Sequence, residues 1–295
     1  MLDLAKIDPD KPVLIYGPTA SGKSGLALQI AEAQGGVIVN ADALQVYQGW
    51  PILTAQPPAE DLARARHCLY GHLAFDAPYS VGDWLRDVAP YLAGERPIIV
   101  GGTGLYFTAL TEGLAEIPPT PTSVRARGDA MSLPDLLADL DHATTSAIDV
   151  QNRARVQRAW EVQTTTGRSI RDWQDNTPPP LLPLAACTAL ALMPEVDWLN
   201  GRIEQRFDMM MKAGARAEAE AMAPIWDPAA PSSKAIGAAE MIAHLQGDIS
   251  GDSLKSAIVI ASRQYAKRQR TWLRSRMKGW QTIALPDVGD NTLST

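Results

Sequence analysis

A strand, a glycine-containing turn and a helix follow one another near the start of this 295-residue chain, and this order constrains the fold more than any other feature. The apolar run at residues 13–16 precedes the turn, and a helix-forming run at 26–32 follows it. The turn itself, residues 17–24, reads G-x-x-x-x-G-K-[ST]. Backbone N–H groups of such a turn, together with the positive end of the helix dipole, surround an anion. The motif predicts a phosphate-binding loop (P-loop) in a parallel α/β sheet.

The P-loop side chains indicate which groups would hold the phosphates. Lys23 can reach the terminal phosphate oxygens, and the hydroxyl of Ser24 can hold Mg²⁺. The predicted phosphate-binding residues of the loop are Gly17, Thr19, Ala20, Ser21, Gly22, Lys23 and Ser24. The motif indicates a di- or triphosphate ligand and leaves the reaction open.

Strand and helix patterns alternate over the first 115 residues, which predicts a P-loop NTPase-like parallel sheet with helices on both faces. Prolines interrupt the helical patches that follow. We therefore expect a first part of the core at 1–116, a small inserted helical subdomain at 117–147, the rest of the core with a helical part at 148–280, and a C-terminal tail at 281–295. A long helix is predicted over 149–166.

Several classes of protein are disfavoured by the composition. No apolar run reaches the roughly 18–20 residues that a membrane span needs, and the first residues lack the pattern of a signal peptide. The two cysteines, Cys68 and Cys187, lack metal-ligand spacing. We expect a monomeric cytoplasmic protein with reduced thiols and no membrane partner.

Positive charge is concentrated near the C-terminus, although the net charge is −6. Residues 263–278 carry seven Lys or Arg and no acid. Four of these cations share one helix face at spacings of 4, 3 and 4: Arg263, Lys267, Arg270 and Arg274. Tyr265 and Trp272 lie among them, and aromatic rings can stack on bases. The segment is either a footprint for nucleic-acid phosphates or a solvated charged face.

Two polar residues follow predicted strands beside the P-loop. The strand at 97–100 ends in Gly101 and Gly102 rather than in the acid that ATP-hydrolysing P-loop enzymes usually have. Asp42, after the strand at 37–40, is the only nearby strand-end carboxylate. It could bind Mg²⁺, act as a general base, or cap a helix. Thr103 is similarly either a helix cap or a hydroxyl donor in the site.

Five segments in order resemble the bacterial tRNA dimethylallyltransferases (tRNA isopentenyltransferases). The matching segments are 17–24 (GPTASGKS), 40–47 (NADALQVY), 100–106 (VGGTGLY), 158–167 (RAWEV followed by TG) and 263–272 (RQYAKRQRTW). The resemblance spans roughly residues 13–275.

The resemblance implies transfer of a dimethylallyl group from dimethylallyl pyrophosphate to the exocyclic amine of the adenosine 3′-adjacent to the anticodon in tRNA. It implies Asp42 as general base, with Lys23 and Thr103 also catalytic, and Mg²⁺ on Ser24. Lys234 joins the P-loop residues as a ligand of the donor pyrophosphate. The implied contacts to the anticodon stem-loop are Asp42, Ala43, Leu44, Gln45, Thr103, Arg125, Arg155, Arg158, Arg263, Lys267, Arg270 and Arg274.

The chain also departs from this family pattern. Gln56 replaces a lysine, Ala43 a serine, Lys234 an arginine and Ala238 a tyrosine. Because arginine and lysine differ in how they grip phosphate, these changes bear on efficiency more than on reaction class. The alternatives are prenyl transfer to a free adenine nucleotide, a P-loop small-molecule kinase, and a non-catalytic RNA-binding protein.

Overall fold

A six-stranded parallel sheet forms the centre of the chain in the computed structural model, which describes residues 3–286. The strands are β1 (Val13–Tyr16), β2 (Val37–Asn40), β3 (His67–Cys68), β4 (Pro97–Gly101), β5 (Thr188–Pro194) and β6 (Gln281–Leu285). They lie in the order β3-β2-β4-β1-β5-β6, and every pair is parallel. The predicted fold class is confirmed.

The order of the strands brings three chain turns together. β2, β4 and β1 are neighbours, with Asn40 opposite Val100 and Tyr16 opposite Gly101. Their carboxyl ends therefore finish at one edge of the sheet, where α/β proteins bind ligands. The P-loop, Asp42 and Thr103 follow these three strands directly.

The local sequence explains the elements around this edge. β1, β2 and β4 are buried along their whole length, as central parallel strands are.

The helices are α1 (Lys23–Gln34), α2 (Pro51–Thr54), α3 (Ala59–Arg64), α4 (Val81–Leu92), α5 (Gly104–Glu112), α6 (Thr122–Ala130), α7 (Leu133–Ala138), α8 (His142–Ala147), α9 (Arg153–Thr166), α10 (Ile170–Gln174), α11 (Val196–Lys212), α12 (Ala215–Met222), α13 (Ala238–Gln246) and α14 (Gly251–Arg276). Ser80 and Asp83 form a capping box that starts α4.

Both faces of the sheet are covered by helices. Alternate residues of β1 enter different clusters: Leu14 packs with Trp84 and Phe107 of α4 and α5, whereas Ile15 packs with Ile30 of α1. A third buried cluster is formed by α11 to α14 with residues of α2.

A second compact unit spans residues 112–181, whereas the insertion is predicted at 117–147. Its core consists of Leu136, Leu140, Val156, Ala159 and Trp160. Three of these residues belong to α9, which supplies the apolar face against which α6 and α7 pack. The first unit comprises the residues before 112 and after 181.

The C-terminal boundary also differs from the prediction. Residues 281–285, expected as part of a tail, form the edge strand β6 beside β5. The remainder of the predicted tail, 287–295, lies outside the described residues. Within residues 3–286, none of the helices combines the length and the apolar character needed to cross a membrane.

Candidate active site

The P-loop wraps back on the start of α1 in a strained turn. Ala20 has a φ of +62°, a left-handed conformation that is uncommon for a residue other than glycine, and its carbonyl accepts a hydrogen bond from Arg202 Nε at 2.9 Å. Gly22 has a φ of +87° and caps α1 without any side-chain hydrogen bond. The first-turn N–H groups of α1 are therefore left for a ligand, as at other anion-binding helix ends.

Asp42 lies in a hydrogen-bonded turn at the end of β2. Its Oδ1 accepts from the N–H of Leu44 at 3.0 Å, and its own N–H donates to Asn40 Oδ1 at 2.9 Å. The residues that follow form turns, so the interpretation of Asp42 as a helix cap is wrong. Its Oδ2 accepts no hydrogen bond from the described residues, which leaves one carboxylate oxygen for a ligand.

Thr103 connects the end of β4 to the Asp42 turn. Its N–H donates to the carbonyl of Ala41 at 3.2 Å, and its Oγ1 accepts from the N–H of Ala43 at 2.9 Å. Thr103 thus holds the residues on either side of Asp42. Its side-chain oxygen serves this neighbouring turn rather than the first turn of α5.

One crevice joins the P-loop to Asp42. Its polar walls are Thr19, Lys23, Ser24, Asp42, Gln45, Thr54, Arg206, Ser262 and Tyr265, and its apolar walls include Leu44, Leu53, Ile203, Phe207, Met210, Ile236 and Ile258. The structure therefore brings Lys23, Ser24 and Asp42 together, as the strand order requires. Gln45 also lies here, but its amide Nε2 already donates to the carbonyls of Thr54 and Ala55.

The charges in this crevice are arranged for an anion. Burial lowers the pKa of Lys23 to about 8; Asp42 opposes this shift and Arg206 adds to it. Burial likewise lowers the pKa of Arg206, against the influence of Asp42. Two partly buried cations thus share one carboxylate, and an added anion would relieve their repulsion.

Arg206 was missed by sequence reasoning, and Lys234 does not take the place expected for it. Arg206 lies on α11 with Arg202 one turn earlier, and no motif distinguishes one from the other. Lys234 is exposed in a short 3₁₀ helix, and the crevice is lined from its segment by Ile236 instead. The structure places Arg206 beside Lys23.

The side-chain oxygens of the crevice fit a magnesium ion bound together with a phosphate ligand. Ser24 and Asp42 contribute oxygens, the donor type that Mg²⁺ prefers. Residues 3–286 contain no group of three or more Asp, Glu, His or Cys side chains placed to hold a metal. Mg²⁺ would therefore take most of its ligands from phosphate and water, as it usually does.

The basic face predicted at 263–274 lies on α14. Arg263 forms an ion pair with Glu204, whereas Lys267 and Arg274 are exposed. Arg270 has two buried guanidinium nitrogens with no hydrogen-bond partner in the described part of the chain. Burial and the neighbouring Arg274 lower the pKa of Arg270. This stretch of α14 is consequently a set of cations with little internal neutralisation.

The two aromatic residues of that segment have different surroundings. Tyr265 lines the crevice, and burial together with the charge of Asp42 raises its pKa. Trp272 packs closely against Gly104, with its indole nitrogen buried. Trp272 thus belongs to the docking of α14 on the β4–α5 loop.

The remaining predicted tRNA contacts lie in the second unit. Arg125 donates to Glu161 Oε2 at 3.1 Å, and Arg158 lies 3.9 Å from the same oxygen. The Glu161 side chain is only 3% exposed, while the two arginines are 57% and 40% exposed. Arg155 is exposed on the same helix. Glu161 therefore fixes the inner side of two guanidinium groups that remain open to solvent.

Known proteins resemble this chain along most of its length. A sequence model described as IPP transferase matches residues 45–276, and one described as isopentenyl transferase matches residues 11–70. A tRNA dimethylallyltransferase of Ruegeria sp. (strain TM1040) is 61% identical over 285 residues, covering 96% of this chain and 99% of that protein. The corresponding protein of Jannaschia sp. (strain CCS1) is 56% identical, with 97% and 100% covered.

Solved structures agree with these sequence relatives. The tRNA isopentenylpyrophosphate transferase of Bacillus halodurans superposes with a TM-score of 0.66 at 28% identity, over 93% of this chain and 90% of that one. A eukaryotic dimethylallyltransferase acting on tRNA, at 22% identity, shares the fold with a TM-score of 0.79, over 93% of this chain and 73% of that one. With a P-loop, a strand-end aspartate and these relatives, the chain belongs to the IPP transferase family of tRNA dimethylallyltransferases.

Proposed function

We propose that this protein transfers a dimethylallyl group from dimethylallyl pyrophosphate to the exocyclic amine of the adenosine 3′-adjacent to the anticodon of tRNA. The observation that carries the proposal is the single crevice in which Lys23, Arg206 and Asp42 meet. Two cations suit a leaving pyrophosphate, and a carboxylate beside them suits an amine that must lose a proton. The curated relatives support the same reaction.

The donor site would be built from the P-loop and α11. The first-turn N–H groups of α1, Lys23 and Arg206 would bind the pyrophosphate and stabilise the negative charge that develops as the carbon–oxygen bond breaks. Mg²⁺ held by the Ser24 hydroxyl would supply further charge neutralisation on the phosphate oxygens. The apolar residues Ile203, Phe207 and Met210 offer the dimethylallyl chain a wall beside this site.

The acceptor side would be built from the Asp42 turn. As the amine nitrogen bonds to the donor carbon, one N–H proton passes to the free Oδ2 of Asp42, and pyrophosphate departs. The hydrogen bonds from Leu44 to Oδ1 and from Ala43 to Thr103 hold this carboxylate in place. Thr103 would lie near the bridging oxygen of the donor, as the family resemblance implies.

The acceptor would be tRNA, whose target base must leave its stack at a cost of a few kcal/mol. Exposed cations on α14 and in the second unit would contact its phosphates, where Arg125 and Arg158 are oriented by Glu161. We expect the enzyme to act as a monomer in the cytoplasm. Light scattering of the purified chain tests the first of these expectations.

The same site argues against two other functions. A small-molecule kinase would be expected to have an acid at the end of β4, where this chain has Gly101 and Gly102. Transfer to a free nucleotide would not need the extended positive face of α14. These differences favour tRNA as the acceptor and dimethylallyl pyrophosphate as the donor.

The test is transfer itself. Unmodified tRNA is incubated with the protein, dimethylallyl pyrophosphate and Mg²⁺, and the nucleosides are analysed by mass. We expect one dimethylallyl group at the adenosine after the anticodon, loss of product in Asp42→Asn, and unchanged product in Asp76→Asn, an exposed aspartate outside the crevice. Modification of free AMP with no modification of tRNA would contradict the proposal.

A further inference from the structure

Gln269 is a polar residue in the buried stripe of α14. The other buried residues of this helix are Leu254, Ile258, Val259, Ala266 and Leu273, all apolar. Gln269 is only 4% exposed. A buried amide must satisfy its hydrogen bonds inside the protein, so both the oxygen and the nitrogen of this side chain need partners there.

Those partners belong to the two loops that flank the crevice. Gln269 Oε1 accepts from the N–H of Thr19 in the P-loop at 2.8 Å, and Nε2 donates to the carbonyl of Gly102 at 3.0 Å. The hydroxyl of Tyr16, the last residue of β1, donates to the backbone carbonyl of Gln269 at 2.9 Å. One residue of α14 thus ties together the ends of β1 and β4 and the loop after β1.

The β4–α5 loop leaves room for this contact because it carries glycines. A Cβ on Gly102 would lie 2.1 Å from Gln269 Nε2, and one on Gly104 would lie 2.2 Å from the Trp272 ring. Both separations are well below van der Waals contact. Only residues without a side chain allow α14 to approach the loop so closely.

We propose that Gln269 is a positioning residue that sets the spacing between the donor phosphate site and Asp42. On one side it holds Thr19 of the P-loop. On the other it holds Gly102, whose neighbour Thr103 is bonded to Ala41 and Ala43 on either side of Asp42. The inference rests on the donor and acceptor roles proposed above for the P-loop and Asp42.

This spacing matters because transfer requires the amine and the donor carbon to be held in a near-attack arrangement. A misplacement of about 1 Å can cost on the order of 10²-fold in rate, even when each substrate still binds. Loss of the Gln269 bonds should therefore lower the rate of the chemical step more than it lowers either affinity.

The experiment compares Gln269→Leu with Gln264→Leu, an exposed glutamine on the same helix. Single-turnover transfer should fall by about 10- to 100-fold in Gln269→Leu. The Kd values for dimethylallyl pyrophosphate and for tRNA should each stay within about threefold, the size of effect expected without a direct contact. Gln264→Leu should match the wild type in all three. Gln269→Asn, one methylene shorter and unable to span both loops, serves as the second variant if the leucine variant does not fold.

Hydrogen exchange supplies a readout that does not depend on activity. Exchange in peptides covering 17–24 and 101–105 should accelerate in Gln269→Leu and stay unchanged in Gln264→Leu. Unchanged exchange, or a single-turnover rate within twofold of wild type, would overturn the inference. A donor Kd that weakens as much as the rate would instead make Gln269 part of the donor site. Failure of the wild type to modify tRNA contradicts the proposed function, while the exchange data still decide whether Gln269 clamps the loops.

Discussion

Raising the pH from 7 to 9 should weaken binding of dimethylallyl pyrophosphate through one residue, Lys23. Burial and the nearby Arg206 lower the pKa of the Lys23 ammonium to about 8 in the free protein. Because this pKa is depressed, the positive charge is present below pH 8 and is lost as the pH rises through 8. The donor pyrophosphate, like a phosphate monoester with a second pKa of about 6, keeps its charge over this range.

The size of the effect follows from the protonated fraction of Lys23. With a pKa of about 8, this fraction falls about tenfold between pH 7 and pH 9. If only the ammonium form binds the donor, the apparent Kd rises by the same factor, which corresponds to about 1.4 kcal/mol. Titration calorimetry with dimethylallyl pyrophosphate and Mg²⁺ in the absence of tRNA measures this Kd directly, because no transfer can occur.

Two variants separate Lys23 from other titrating groups. Lys23→Arg keeps its charge at every pH tested, so its Kd should be weaker but flat between pH 7 and pH 9. Arg206→Gln removes a neighbouring positive charge, so the pH at which affinity begins to fall should move upward. A flat profile in the wild type, or an equal slope in Lys23→Arg, would show that Lys23 does not cause the pH dependence of donor binding.

Other predictions address the base, the basic helix and the second unit. Asp42→Asn should lower the single-turnover rate by about 10²–10⁴ with the donor Kd retained, whereas partial rescue by added Mg²⁺ would assign Asp42 to the metal. Lys267→Ala with Arg274→Ala should reduce the log–log salt slope of tRNA binding by slightly under two, and an unchanged slope would make this a solvated face. Glu161→Ala should cost on the order of 2 kcal/mol in urea unfolding, because two half-exposed arginines lose their buried counter-charge; exposed Arg155→Ala should cost within about 0.5 kcal/mol.

Local pattern predicted the elements around the site well. The apolar runs of β1, β2 and β4 are short-range signals, so the sequence indicated these strands directly. β6 escaped prediction because Gln281–Leu285 is an edge strand whose side chains are mostly exposed and whose apolar residues are confined to its last three positions. The second unit extends beyond the predicted 117–147 because α9 packs with α6 and α7, and the apolar face of α9 shows these partners only after folding.

The residues of the site also fall into two groups, those that the sequence places and those that only the structure shows. Lys23, Ser24, Asp42 and Thr103 follow strands, and the rule that parallel strands end at one edge places them together without any structure. Arg206 is one of several cations on an amphipathic helix, and only the packing of α11 shows that it, and not Lys234, enters the crevice.

Gln269 is an intermediate case, because the sequence marks it as a polar residue in an apolar repeat but does not name its partners. It interrupts the apolar repeat of α14 that runs through Ala266 and Leu273. A buried polar position in a helix predicts an internal hydrogen-bond partner, although periodicity cannot say which one. The glycines at 102 and 104 carry the complementary signal, since they mark a loop that something approaches closely. Neither signal alone names a contact, but together they indicate a helix docked on the loop beside the base. In this chain α14 presents cations on one face, and through Gln269 on another face it positions the reacting groups. A substitution in α14 should therefore first be assigned to one of these two faces, because only the cationic face is expected to report on tRNA binding.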